Sequence, residues 1–242
     1  KKLFFFMIQR TVVPAIFISV ILLFFSYFLF FSVNFPFQDD FLIIQFIETI
    51  LKDKPDFFGF IKELFRTFND HKAVIPRLIG FLNYEVSGSL NFRFYLLLVQ
   101  INTIYIFYFL YLQFKKTGLS FYYFLPAAFI YFQPIYYDIS AWALNGMQHT
   151  FLTAFTVSAI LLASKRTNWG MYMAVVCCFL ATFTHGNGLF SFPAIIFCYF
   201  CYKDFRKAIA SSIFMFISLG IYILTYETGQ AMQPPKSIGS FL

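Results

Sequence analysis

Long uninterrupted runs of apolar residues alternate with short polar segments along this chain. A run of about 20 apolar residues is long enough to cross the hydrocarbon core of a bilayer as an α-helix. The pattern predicts an all-α fold, a polytopic transmembrane helical bundle with about seven spans. The predicted spans are Val12–Val33, Phe92–Phe114, Phe121–Ile135, Ser140–Ala163, Trp169–Thr184, Leu189–Tyr202 and Ala208–Tyr226.

The third, fifth and sixth of these runs are short, with 15, 16 and 14 residues. At a rise of about 1.5 Å per residue, such helices are shorter than a hydrocarbon core of about 30 Å. We expect them either to extend beyond these limits or to enter the membrane as partial helices around a cavity.

The segment of residues 34–91 is the one large loop between predicted spans, and it has a helical pattern of its own. Between Phe57 and Asp70 the polar positions recur in steps of three and one, which predicts an amphipathic helix. Phe41–Leu51 shows a weaker amphipathic pattern, and Pro55 separates it from the segment that starts at Phe57. A third segment, Ala73–Val86, is more apolar. These segments predict interfacial helices that lie flat in the outer leaflet. The whole chain, 1–242, is thus expected to be a single membrane domain, with 227–242 as an external tail.

The composition narrows the function classes. Hydrophobic residues make up 60% of the chain and charged residues 12%, with 40 Phe and 16 Tyr. Soluble domains carry about 25% charged residues, so a soluble enzyme and a disordered chain are both excluded. The four cysteines lie inside apolar runs without a histidine at ligand spacing, and we expect them to pack as small hydrophobic side chains.

The net charge of +7 is divided unevenly between the two sides of the predicted bundle. One side has ten Lys and Arg and one acid, and the other has eight Lys and Arg and ten acids. The ten are Lys1, Lys2, Arg10, Lys115, Lys116, Lys165, Arg166, Lys203, Arg206 and Lys207. By the positive-inside rule the N-terminus is cytoplasmic, and the loop of residues 34–91 is external. The basic excess is therefore a signal of topology, and no nucleic-acid partner is expected.

Two adjacent acids, Asp39 and Asp40, follow the first predicted span. A carboxylate held at the membrane surface is suited to act as a general base or as a metal ligand. The alternative is that Asp40 caps a helix that starts at Phe41, while Asp39 is solvated.

A second polar segment runs from Asn69 to Arg77. It holds His71, Lys72 and Arg77 near a predicted helix start, a combination that favours phosphate. The alternative is an interfacial loop whose cations extend to the membrane surface.

Two further polar groups lie near the external side. If Asp138, Asn145 and His149 lie on one helix together with Trp142, their spacing puts them on one face, which usually points to an internal cavity. Interhelical hydrogen bonding without a ligand is the alternative. His185 and Asn187 lie in a glycine-rich turn that would face the same cavity or be a bare turn.

These features together resemble the GT-C superfamily, integral-membrane glycosyltransferases that use polyprenyl-phosphate sugars. The resemblance comes from a first span that ends at Gln38-Asp39-Asp40, interfacial helices in the first external loop, and the segments Asp70 to Arg77 and His185 to Gly188. It covers essentially the whole chain, as the N-terminal part of a bacterial enzyme that modifies surface polysaccharide or lipid. The chain is therefore expected to be an N-terminal fragment.

The resemblance implies an inverting sugar transfer from a polyprenyl-phosphate-linked sugar to a lipid or glycan acceptor, at the external face of the bacterial inner membrane. Asp39 or Asp40 would be the base. His71, Lys72 and Arg77 would bind the donor phosphate, and Asp138, Asn145, His149, His185 and Asn187 would bind the sugar or the acceptor. Some members of the superfamily use a divalent cation such as Mg²⁺ or Mn²⁺, and either case fits this sequence.

Two other functions are compatible with the same pattern. A transporter or flippase for lipid-linked sugars, or a polymerase of them, would use the same cavity and cations, although no internal repeat is visible. A non-catalytic assembly subunit of the cell envelope would use the acid pair only as a helix cap.

Overall fold

The computed structural model describes residues 11–67 and 71–226, which form α-helices joined by short turns without a β-strand among them. Lys1, Lys2, Arg10, Asp70 and the predicted tail 227–242 lie outside the described residues. In chain order the α-helices are α1 (Val13–Phe31), α2 (Phe41–Asp53), α3 (Phe57–Leu64), α4 (Val74–Ser87), α5 (Phe92–Lys115), α6 (Leu125–Tyr131), α7 (Tyr137–Ser140), α8 (Ala143–Ser164), α9 (Asn168–Thr184), α10 (Ser191–Cys201) and α11 (Phe205–Leu224).

Among the described residues, four helices are long and apolar enough to cross a membrane: α1, α5, α8 and α11. They match the first, second, fourth and seventh predicted spans. Many of their apolar side chains are exposed, such as Phe30 and Leu224, as expected for surfaces that contact lipid. The prediction of a membrane-embedded helical protein is confirmed at this level, and the other three spans stay predictions.

The third predicted span, Phe121–Ile135, is not one continuous helix. A 3₁₀ turn at Phe121–Phe124 leads into α6, and a second 3₁₀ turn follows at Pro134–Tyr136. Gln133 between them is extended, with φ −127° and ψ 142°. A residue that precedes proline is driven away from the helical conformation, and this explains why the helix stops before Pro134.

The fifth and sixth predicted spans are short in the structure as well. Helix α9 has 17 residues and is capped by Thr167, whose hydroxyl accepts a hydrogen bond from the Gly170 N–H at 2.9 Å. Helix α10 has 11 residues and follows a 3₁₀ turn at Gly186–Phe190.

The loop between α1 and α5 contains the three predicted helices, with one correction. The helix that the polar spacing extends from Phe57 to Asp70 ends at Leu64. The carbonyls of Glu63 and Leu64 accept hydrogen bonds from the Arg77 side chain, and the Glu63 carbonyl also accepts one from the Arg66 N–H at 3.2 Å. A long-range side-chain contact thus helps to satisfy carbonyls at the end of the helix.

The chain divides into two compact units, and the first takes in residues 11–37 and 91–147. Its core is a cluster of aromatic rings around Phe107, which contacts Phe124 and Phe132 at centroid distances of 5.3 and 4.6 Å. Rings at such distances add specific contacts to the hydrophobic burial.

The second unit takes in residues 38–67, 71–90 and 148–226. One of its cores joins α8, α9, α10 and α11 around small residues such as Ala174 and Cys178, which allow close helix packing. The other joins the loop helices α2, α3 and α4 to Phe183 of α9. All four cysteines are free; Cys178 is buried as expected for a small hydrophobic side chain, Cys177 and Cys198 are half-buried, and Cys201 is exposed.

Two sets of polar contacts mark opposite ends of α11 in this second unit. At the start of the helix, the Lys207 Nζ donates to the Arg166 carbonyl at 2.9 Å. Just past its end, the Thr225 carbonyl accepts a hydrogen bond from the Lys72 Nζ. Because α11 has 20 residues, about 30 Å of helix separates these two places.

Candidate functional site

The three histidines of the sequence meet in the second unit. His71 precedes α4, His149 lies in the second turn of α8, and His185 directly follows α9. The ring centroids of His71 and His185 are 3.8 Å apart, and those of His149 and His185 are 5.0 Å apart. We call these three side chains the histidine cluster. The structure therefore brings together three of the predicted site residues that came from three separate segments.

The backbone after α9 holds His185 in place. His185 is extended, with φ −157° and ψ 141°, and its Nδ1 accepts a hydrogen bond from the Asn187 N–H at 3.2 Å. Gly188 packs against the backbone of Ala181, where a Cβ would overlap it. The predicted tight turn is therefore present, and Gly188 is required by close packing against the backbone rather than by a left-handed backbone conformation. The Asn187 side chain is exposed.

Burial sets the charge state of this cluster. His185 is only 6% exposed, and this burial lowers its pKa to about 4, with the neighbouring charges of His71 and His149 acting in the same direction. The imidazole is therefore neutral at pH 7 and carries both a hydrogen-bond donor and an acceptor. Within the described part of the chain, no three His, Cys, Asp or Glu side chains are arranged to hold a metal ion.

Lys72 is fully buried and has its ammonium group surrounded by oxygen atoms. Its Nζ donates to the Phe65 carbonyl and the Thr67 Oγ1, both at 3.0 Å, as well as to the Thr225 carbonyl. The same atom lies 5.6 Å from the ring centroid of Tyr222. Lys72 thus joins the loop between α1 and α5 to the end of α11.

Arg77 makes a similar set of contacts from α4. Its Nη1 donates to the carbonyls of Glu63 and Leu64, at 3.3 and 3.2 Å, and to that of Arg66. Burial lowers the pKa of Arg77 to about 10, with Glu63 opposing and Arg66 adding to the shift, so the group stays charged at pH 7. The predicted phosphate contacts of Lys72 and Arg77 stay predictions, and both cations already bind backbone carbonyls.

Asp40 ends a 3₁₀ turn, Gln38–Asp40, that connects α1 to α2. Helix α2 begins at Phe41 as expected, but the Asp40 side chain accepts no capping hydrogen bond, so the capping interpretation is wrong. Asp40 is 2% exposed, while the adjacent Asp39 is half-buried. Charged side chains are rarely buried to this extent unless they are paired or functional.

The predicted common face is confirmed for Asn145 and His149, which lie four residues apart on α8, and is wrong for Asp138, which belongs to α7. Helix α7 ends at Ser140 and α8 begins at Ala143. The Asn145 Nδ2 donates to the Asp138 carbonyl at 2.8 Å across this break. Asp138 and Asn145 belong to the first unit, and His149 belongs to the second.

Tyr222 of α11 is a neighbour of the histidine cluster that the sequence analysis missed. A Cβ on Gly186 would lie 2.9 Å from the Tyr222 hydroxyl and 3.6 Å from the His71 Nδ1. Tyr222 is one of 16 tyrosines and lies in an apolar predicted span, so nothing in the surrounding sequence marks it as a site residue. Only the packing of α11 against the turn after α9 reveals it.

The second unit therefore contains a buried carboxylate, a cluster of three imidazoles and two buried cations. Carboxylates and imidazoles are the side chains most often used for proton transfer, and cations stabilise anionic leaving groups. Comparisons of this chain with protein-family models, with curated proteins and with solved structures find no match.

Proposed function

We propose that this protein is an inverting membrane glycosyltransferase of the GT-C type. It moves a sugar from a polyprenyl-phosphate donor to a lipid or polysaccharide acceptor at the external face of the bacterial inner membrane. One observation carries the proposal: Asp40 is buried directly after the first spanning helix and does not serve as a helix cap. Charged side chains are buried to this extent mainly where they are paired or functional, and carboxylates are common general bases.

In the proposed reaction, the carboxylate of Asp40 accepts the proton of an acceptor hydroxyl. The hydroxyl oxygen forms a bond to the anomeric carbon as the bond from that carbon to the phosphate oxygen breaks. The polyprenyl phosphate leaves with the bonding electron pair, and the configuration of the sugar is inverted. Asp39, half-buried beside Asp40, is the alternative base.

The proposed reaction needs its site residues on one side of the membrane, and the contacts within the histidine cluster support this arrangement. His71 lies in the loop between α1 and α5, and it contacts His185, which in turn contacts His149 near the start of α8. These contacts support one common side of the membrane for all three places. The chain accordingly returns to this side between α5 and α8, and again between α8 and His185. Seven crossings put these three places on the same side, whereas four crossings would put the start of α8 on the side opposite His71.

The basic residues fit the same arrangement. Lys207 contacts the Arg166 carbonyl at the end of the unit away from the histidine cluster. Both belong to the set that the positive-inside rule puts in the cytoplasm. With the N-terminus cytoplasmic, Asp40 and the histidine cluster face outside, where a lipid-linked donor and a surface acceptor would meet.

His71 and His149 are half-buried, whereas Lys72 and Arg77 are buried, so these two histidines are better placed to contact the donor phosphate or sugar. Lys72 and Arg77 bind backbone carbonyls, so either would have to exchange those bonds for a phosphate oxygen. Neutral imidazoles can both donate to and accept from sugar hydroxyls. A divalent cation is not required by this scheme, and Asp39 and Asp40 would be its candidate ligands if one binds.

The test is a transfer assay in membranes supplied with polyprenyl-phosphate sugars. General-base catalysis is typically worth about 10²- to 10⁴-fold, so Asp40→Asn should lower the rate by at least about 100-fold. Asp53→Asn is the matched control, because Asp53 is an exposed residue at the end of α2. Transfer at a normal rate by both Asp39→Asn and Asp40→Asn would refute the proposed base. Movement of the lipid-linked sugar across the membrane without transfer would favour the transporter.

A further inference from the structure

The second unit contains a groove that has no role in the proposed sugar transfer. Its volume is about 500 Å³, within the range of about 300–1,000 Å³ typical of ligand pockets. It opens between α3, the C-terminal half of α9 and the end of α11. Its apolar wall is formed by Phe58, Ile61, Phe65, Phe179, Ile221 and Leu224.

Two cations line the same groove. Lys62 is exposed in the last turn of α3, and Arg66 follows four residues later. The Arg66 guanidinium is 54% exposed and pairs with Glu63 at 3.4 Å, an exposed contact of small energy that a stronger anion can replace. Among the residues that the structure describes, the groove lining contains no acid. The groove therefore combines an apolar body with a positive edge.

The position of α3 explains why a lipid would reach this place. Phe57 and Phe58 at its start are 71% and 79% exposed. Exposed aromatic side chains on a short amphipathic helix favour a location in the membrane interface. An acyl chain could then enter the groove from the bilayer while its headgroup stays at the level of Lys62 and Arg66.

We propose that this groove binds an anionic membrane phospholipid, with one acyl chain against the apolar wall and the phosphate at Lys62 and Arg66. Lipid phosphates are commonly recognised by basic residues next to apolar pockets at the membrane surface. The bound lipid is not a reactant, so this site is independent of the proposed sugar transfer. It would fix α3 against the end of α11, on the same side of the unit as the histidine cluster.

The test uses the full chain in detergent, with native mass spectrometry of the lipid it retains. Phosphatidylglycerol should be retained in preference to phosphatidylcholine, since the two differ in headgroup charge. Lys62→Glu should reduce retention by about fivefold or more, because each basic residue near an anionic headgroup contributes about that factor. Lys52→Glu is the matched control, an exposed lysine in the last turn of α2 that does not line the groove.

A second pair of variants tests the apolar wall. Leu224→Trp should fill the groove and reduce retention, whereas Ile223→Trp, on an exposed neighbour outside the groove, should not. Equal retention of the two phospholipids, or an equal effect of the two lysine variants, would overturn the proposal. Preferential binding of a polyprenyl phosphate would assign the groove to the donor instead. Lipid binding that requires removal of residues 227–242 would assign it to that segment.

Discussion

The imidazole rings of His71 and His185 lie against each other, with centroids 3.8 Å apart and ring planes inclined by 31°. His71 precedes α4 in the loop between α1 and α5, and His185 follows α9. Hydropathy puts these two segments on the same side of the membrane only if the number of predicted spans between them is correct. The contact between the two rings does not depend on that number. It therefore gives a physical reason to place the loop and the end of α9 together.

Thiol labelling tests this topology. In a background without the native cysteines, Lys52→Cys should react with an impermeant thiol reagent added to intact cells, because the loop is predicted to be external. Lys116→Cys should react only after permeabilisation, because basic residues after α5 are predicted to be cytoplasmic. The opposite labelling pattern would place Asp40 and the histidine cluster in the cytoplasm and rule out the proposed reaction.

The lowered pKa of His185 predicts how stability depends on pH. The unfolded chain, with a histidine pKa of about 6.5, binds a proton before the folded protein does, with its pKa of about 4. Stability is therefore fully present above pH 6.5 and falls as the pH drops from 6.5 towards 4. Thermal unfolding in detergent should show a lower Tm at pH 5 than at pH 7.5.

The variant His185→Gln isolates this contribution, since glutamine cannot take up the proton. Its Tm should change less between pH 7.5 and 5 than that of the unmodified protein. An identical change in both proteins would mean that other groups cause the acid sensitivity.

The contacts of Arg77 predict a structural role that can be separated from donor binding. Arg77→Ala removes the donor to the carbonyls of Glu63, Leu64 and Arg66, and buried groups left unpaired cost about 1–3 kcal/mol. We expect a clear fall in Tm. Arg93→Ala, which removes an exposed side chain that donates to the Ser32 carbonyl, should change stability by less than about 0.5 kcal/mol.

If Arg77 also binds the donor phosphate, Arg77→Ala should weaken donor use in the protein that remains folded. Arg77→Lys should restore it only partly, because a guanidinium can bind two phosphate oxygens at once. An unchanged apparent affinity for the donor would leave Arg77 with the structural role alone.

The turn after α9 predicts a strong difference between two glycines. A Cβ on Gly188 would overlap the backbone of Ala181, so Gly188→Ala should destabilise the protein by about 1–3 kcal/mol and displace His185. A Cβ on Gly220 in α11 would meet no neighbouring atom within 4 Å, so Gly220→Ala should be neutral or should stabilise the helix. Thermal unfolding of the two variants provides the comparison, and equal stability would contradict the close packing of the turn.

The pattern of apolar residues alone was enough to predict the long helices. The apolar runs behind α1, α5, α8 and α11 are long, and their backbone hydrogen bonds are satisfied within the helix itself, so few distant contacts are needed to define them. The starts of α2, α3 and α4 were also visible, because apolar periodicity and proline positions act over a few residues. The interruption of the third predicted span likewise has a local cause, which is the proline at position 134.

Tertiary structure decided the site. The end of α3 at Leu64 depends on Arg77, and the position of Lys72 depends on Thr225, which is far away in the sequence. The burial of Asp40 and the meeting of the three imidazoles depend on how separate helices pack. Periodicity reports only which residues share a face of one helix. The contacts that make a site join different helices, and their energies come from burial and from hydrogen bonds that no local pattern contains.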